Sequence, residues 1–245
     1  MNIKVLYEDN HIIAVLKPAG VLTQGDGSGE KSLFDMVKDY LKEKYNKPGN
    51  VFLGLVHRLD KPVSGIVLFA KTSKGASRLS EQFRNHTIAK TYHAIVLGKL
   101  KNEKGDIKEK INKISFFAEG FGEKSDEELL AAIKSATKTR TGELSYEVVS
   151  YKPSDSAQGG YSLVKIMPKT GRFHQIRVQM AQMQNPILGD KKYLPAGRQV
   201  VKEWPEWKNN NSIALCATSI EFKLATKDET KKITIDLPED WKKYI

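Results

Sequence analysis

A single cysteine, the lack of any long apolar run and the absence of metal-ligand spacing set the first limits on this chain of 245 residues. One thiol, Cys216, excludes an internal disulfide and fits a reducing compartment. No charged-then-apolar stretch ending in small residues opens the chain, and no hydrophobic run approaches the roughly 20 residues of a membrane span. The expectation is therefore a cytoplasmic protein. The five histidines form no HExxH and no His/Cys cluster at zinc spacing, so a catalytic metal has no support. The glycine-rich stretch from Gly25 to Gly29 lacks the Lys-Ser/Thr ending of a phosphate-binding loop. There is no GxGxxG after the first strand, no GxSxG elbow and no repeat period. Cys216 lies in an apolar segment with no activating base nearby in sequence.

Positive charge is what the chain has in excess. Its formal net charge of +11 favours polyanionic partners, nucleic acid first and an anionic membrane surface second. With 40% hydrophobic and 28% charged residues the composition is otherwise that of an ordinary soluble globular protein. The length suffices for a sizeable core, in one large domain or two small ones.

Ile3–Tyr7 and Ile12–Leu16 read as short strands separated by a polar turn, and Lys17-Pro18-Ala19-Gly20 ends the second. Ser32 can cap a helix running to about Tyr45, with Leu33, Val37, Tyr40 and Leu41 on its apolar face. Ser73 can cap a second helix carrying Ala76, Leu79 and Phe83. His86–Lys99 reads as a strand with two apolar faces, Tyr92 among them, expected to be central and buried. The lysine-rich stretch Lys99–Lys113 reads as an exposed connection. Residues 113–141 read as an insertion, with a capping box at Ser125 leading into a helical segment. Leu144–Val148, Tyr161–Met167, Ile213–Phe222 and Lys232–Leu237 are further candidate strands.

Two stretches carry chemistry. In Val56–Thr72, His57, Arg58, Leu59 and Asp60 precede a turn at Pro62 and Gly65 and then the apolar run Ile66–Ala70. A charged pair at a turn, anchored by a core strand, sits where scaffolds present reactive groups, although Arg–Asp pairs also merely close loops. In Lys169–Tyr193 a helix is expected from about Phe173 to Gln184, placing His174 and Arg177 on one face. An arginine flanked by Ile176 and Met180 needs a carboxylate partner, and Asp60 is a candidate.

His57 through Thr72, HRLDKPVSGIVLFAKT, resembles the central motif of the RluA-type pseudouridine synthases. Four further elements are similar to that family in the same order: Lys17-Pro18-Ala19-Gly20, Lys90-Thr91-Tyr92-His93-Ala94, Thr170-Gly171-Arg172 through Val178, and Pro186-Ile187 with Gly189-Asp190. Ala214-Leu215 continues the match near the end. Lys61-Pro62-Val63, Gln179, Gln182 and Cys216 depart from the commoner family residues, which bears on substrate contacts and leaves the acid in place.

The resemblance implies an α+β fold: a single catalytic domain over residues 1–245, a mixed, mostly antiparallel sheet with helices and loops flanking a central basic cleft. Because the family-like motifs begin almost at the first residues, the expectation is a catalytic domain without the small N-terminal RNA-binding domain (S4 type) of many relatives. The implied activity is site-specific conversion of uridine to pseudouridine in structured RNA, rRNA or tRNA. Asp60 would be the nucleophile, on ribose or on uracil, Tyr92 would stack on the target base, and Arg177 would pair with Asp60. Arg58 would displace the flipped base and Ile176 would wall the pocket, with His57, His174 and Arg172 as further substrate contacts. An isomerisation needs no cofactor, and a monomer without an obligate protein partner is the expectation. The alternative is an RNA-binding or RNA-chaperone protein on the same fold without catalysis. A hydrolase acting on free nucleosides fits the basic surface poorly.

Overall fold

The computed structural model describes residues 3–111, 140–154, 159–193 and 212–245. The expected insertion, and the capped helix within it, lies outside the described residues except at its last two positions. In chain order the elements are β1 (Lys4–Glu8), β2 (Ile12–Lys17), α1 (Leu33–Lys44), β3 (Gly54–Leu55), β4 (Ser64–Ala70), α2 (Ser73–Arg84) and β5 (Ala89–Leu97). They continue with β6 (Lys104–Ile111), β7 (Arg140–Lys152), β8 (Tyr161–Pro168), α3 (Gln175–Gln182), β9 (Leu215–Lys223) and β10 (Thr230–Thr234). Short 3-10 turns cover Lys191–Tyr193 and Glu239–Tyr244. The chain forms two compact units, one of Met1–His93 with Pro205–Lys242 and one of Ala94–Trp204 with Lys243–Ile245.

In the first unit β1, β2, β4 and β9 follow one another, with β3 beside β4 and β10 beside β9. The β1–β2, β2–β4 and β9–β10 pairs are antiparallel, and β4–β9 is parallel. The first hairpin is closed by Asp9, whose Oδ1 accepts from the backbone N–H groups of His11 and Ile12, both at 2.7 Å. Strands β2 and β4 are buried on both faces, as their unbroken apolar sequences require. Leu79 of α2 enters the same core as Ile12, Ala14, Ile66, Leu68 and Phe222. Gly65 lets β4 approach β9. Its φ is +125°, and a Cβ there would sit 2.4 Å from the backbone N and O of Ala217.

Helix α1 has the expected cap: Ser32 Oγ accepts from Asp35 N–H, and the Asp35 side chain accepts from Ser32 N–H. Helix α2 is capped one residue earlier than expected, by Thr72, whose Oγ1 accepts from Gly75 N–H at 3.1 Å. Strand β5 is buried only from Ala94 to Leu97, while Lys90–His93 are half-buried. The expectation of burial throughout is corrected there.

The second unit contains the antiparallel neighbours β6, β7 and β8. The lysine-rich segment is part of this sheet and not a connection. Ile107 and Ile111 of β6 face inward, while its lysines are exposed, a composition that suits a sheet margin. Val178, Ala181, Tyr193 and Ile111 form a core cluster under α3. The arrangement of strands and flanking helices is α+β, mixed and mostly antiparallel. No helix among the described residues is long and apolar enough to cross a membrane.

Candidate active site

In the first unit, backbone bonds on both sides of Asp60 hold it in place. Leu59 is buried, and Thr23 Oγ1 both donates to its carbonyl at 2.7 Å and accepts from its N–H at 3.2 Å. On the other side, the Lys61 carbonyl accepts from Gly20 N–H at 2.8 Å and from Lys17 Nζ at 3.1 Å. Val63 N–H donates to the Asp60 carbonyl at 3.0 Å, closing the turn through Pro62. The Asp60 side chain is half-buried on this fixed loop, and Arg58 beside it is exposed.

Lys17 is fully buried at the end of β2, and its Nζ also donates to the carbonyls of Pro18 at 3.0 Å and Val21 at 2.6 Å. Burial pushes the Lys17 ammonium down to about 7, while the Asp60 charge opposes the shift. Three carbonyls in reach favour the ammonium, since a neutral amine has only two N–H groups to donate. Tyr92 is raised well above the ordinary phenol range by burial first, then by the charges of Asp60 and Cys216, so its hydroxyl keeps its proton. The structure thus brings Asp60, Lys17 and Tyr92 into electrostatic reach of one another. Burial drives the Cys216 thiol up to about 11, which removes it as a nucleophile.

His57 braces the motif. Its Nε2 accepts from the Leu68 N–H at 2.9 Å, and its ring stacks on Phe83 with centroids 4.7 Å apart. Burial lowers its pKa to about 3, with the nearby Lys90 charge as a second cause. An imidazole so placed ties the HRLD turn to β4, a structural duty that its expected role as a substrate contact did not anticipate.

In the second unit the Thr170-Gly171-Arg172 turn is organised by Gln175, whose Oε1 accepts from Thr170 Oγ1 at 2.7 Å and from Arg172 N–H at 3.0 Å. Arg172 Nε donates to the Thr141 carbonyl at 3.2 Å. Helix α3 starts at Gln175 and ends at Gln182, two residues short of expectation at each end. His174 and Gln184 carry positive φ values of 52° and 63°, left-handed conformations that an α-helix cannot contain. His174 is the N-cap, Phe173 stacks on its ring at 3.8 Å, and its Nδ1 lies 2.6 Å from Tyr193 Oη. Its Nε2 is 3.2 Å from Arg177 Nη1, which can only donate, so the imidazole proton belongs on Nδ1.

Arg177 is buried and makes a bidentate bond to Asp190, Nε to Oδ2 at 2.6 Å and Nη2 to Oδ1 at 2.8 Å. Its guanidinium lies 5.0 Å from the Tyr193 ring centre. The need for a carboxylate was legible from the apolar flanks of Arg177, and the structure adds Asp190, to which the sequence reading gave no role. Gly189-Asp190 was already in the motif set, and a buried arginine thirteen positions earlier was the available signal. Ile176 is buried on the same helix. Among the described residues no group of three His, Cys, Asp or Glu side chains could hold a metal ion.

Comparison with known proteins places these motifs in a family. Residues 11–182 match the model for RNA pseudouridylate synthase. The chain is 37% identical over 196 residues to tRNA pseudouridine synthase C of Haemophilus ducreyi, covering 79% of this chain and 74% of the relative. It is 34% identical to Ribosomal large subunit pseudouridine synthase C of Rickettsia bellii, covering 77% of this chain and 56% of that protein. The fold is similar to that of Human RNA Pseudouridylate Synthase Domain Containing 4, with a TM-score of 0.72 at 22% identity over 97% of this chain and 90% of that one. The chain belongs to the RNA pseudouridylate synthase family, whose members isomerise uridine within RNA.

Proposed function

We propose that this chain converts uridine to pseudouridine at defined positions of structured RNA, tRNA or rRNA, with Asp60 as the nucleophile. The observation that supports this best is the loop geometry, in which bonds to Leu59 and Lys61 hold the acid within electrostatic reach of Tyr92. The ionised carboxylate attacks a carbon of ribose or uracil, and the N-glycosidic bond breaks. The base turns, carbon 5 of uracil bonds to the sugar, carbon 5 loses its proton while N1, left with the electron pair of the broken bond, takes one up, and Asp60 is released. Atoms and electrons balance within the substrate, so no cofactor enters. Tyr92 stacks on the base, and Arg177 is the third residue required for catalysis. Arg58, exposed on the loop, fills the space of the flipped nucleotide, and Ile176, His174 and Arg172 contact substrate.

The relatives named for tRNA and for the large ribosomal subunit support both RNA classes as substrates. The proposal includes a cytoplasmic monomer that needs no protein partner. The test is a map of pseudouridines in total RNA from strains with and without this gene, followed by restoration in vitro with the purified chain alone. The expected result is the loss of one or a few tRNA or rRNA sites and their return on adding the protein. Identical maps, with RNA still bound by the protein, would instead establish the binding protein without catalysis.

A further inference from the structure

Lys90 is a half-buried lysine that the chemistry above leaves unused. It lies on β5 two residues before Tyr92, so strand alternation places both side chains on one face, about 7 Å apart along the strand. Its ammonium is close enough to His57 to disfavour the imidazolium there. Burial lowers its own pKa, and among the described residues no carboxylate opposes that shift.

Other shielded cations of the described structure have acceptors in place. Lys17 has three carbonyls, Lys71 has Glu8 at 2.5 Å, and Arg177 has Asp190. Among the described residues Lys90 has neither a hydrogen-bond acceptor nor an ion-pair partner. A cation withdrawn from water without an anion costs free energy, and an RNA ligand supplies anions at every nucleotide. Resting on the reading of Tyr92 as the base-stacking residue, we propose that Lys90 binds a backbone phosphate of the RNA next to the nucleotide stacked on Tyr92. A desolvated ammonium on a sheet makes this a fixed contact, unlike the diffuse attraction of exposed surface lysines.

The test uses the full chain carrying Asp60→Asn, so that binding is read without turnover. The probe is a fluorescein-labelled RNA hairpin with uridines in its loop, and Kd is measured across a series of KCl concentrations. Lys90→Met should weaken binding about tenfold at low salt and reduce the slope of log Kd against log salt by about 0.7, the value for one single-strand phosphate. Lys90→Arg should restore the slope. Lys74→Met, at an exposed lysine of α2, should leave it nearly unchanged. A Lys90→Met slope equal to the parent's, with or without a fall in Tm, would overturn the proposal, as would an equal change from Lys74→Met. If Lys90→Met does not fold, Lys90→Gln is read by the same criteria. The slope reports binding alone, so failure of the isomerase reading shows separately, in the pseudouridine maps.

Discussion

Removing the Asp190 carboxylate takes from Arg177 the two bonds at 2.6 and 2.8 Å that hold its guanidinium. Both side chains are almost wholly shielded, at 7% and 1% exposure, so solvent cannot replace the lost partner. Breaking one side of such a pair costs about 3–5 kcal/mol. For a chain of this size that corresponds to a fall in Tm of roughly 6–20 °C. Asp190→Ala is the perturbation, and urea denaturation followed by circular dichroism is the assay. A second variant separates charge from packing. Replacing both partners, as Arg177→Met with Asp190→Leu, removes both buried charges together and should recover most of the stability, because a buried pair and its apolar replacement are often equivalent. Activity should stay lost in the double variant, since Arg177 is part of the proposed chemistry. A cost below about 1 kcal/mol for Asp190→Ala, or a double variant no more stable than the single one, would refute the reasoning.

Three further outcomes follow from the same geometry. Lys17→Met strips the donor from the Pro18 and Val21 carbonyls, while the Lys61 carbonyl keeps Gly20, so a loss of about 2–4 kcal/mol in urea denaturation is expected, with reduced turnover because the Asp60 loop loosens. His57 is held neutral down to about 3 against an ordinary 6.5, so the unfolded chain takes up its proton first and stability falls as pH drops from 6.5 towards 3. His57→Gln should remove that component of the pH dependence, read as urea midpoints at pH 7 and pH 5. Gly65→Ala puts a Cβ 2.4 Å from Ala217 backbone atoms at a φ of +125°, and should cost about 3 kcal/mol or more, measured as Tm or as loss of soluble protein.

Much of this was legible in the sequence because local patterns decide it. The apolar runs of β2 and β4 read as buried strands and Ser32 read as a cap, while the roles proposed for Asp60 and Tyr92 came from the family resemblance of their motifs. What escaped depended on partners distant in sequence. The lysine-rich segment looked like a connection because its two inward isoleucines are spaced four apart among charges, and only the pairing with β7 makes it a strand. Helix α3 read too long because composition does not reveal that His174 and Gln184 adopt left-handed conformations. The braces of the acid, Lys17 and Thr23, lie about forty residues upstream and act through backbone carbonyls and N–H groups, which leave no side-chain signature at the loop they hold. Lys90 was visible only as one letter of a motif, and its burial without a partner among the described residues is a tertiary fact.

Tritium release tests the central claim most directly. RNA labelled at carbon 5 of uracil, prepared from a strain lacking this gene, is incubated with the wild-type chain and with Asp60→Asn. Release by the wild type that is abolished in Asp60→Asn, with RNA affinity retained by both, is the result this account predicts. Release that persists in Asp60→Asn would remove Asp60 as the nucleophile, and no release from either protein would contradict the assignment of an isomerase.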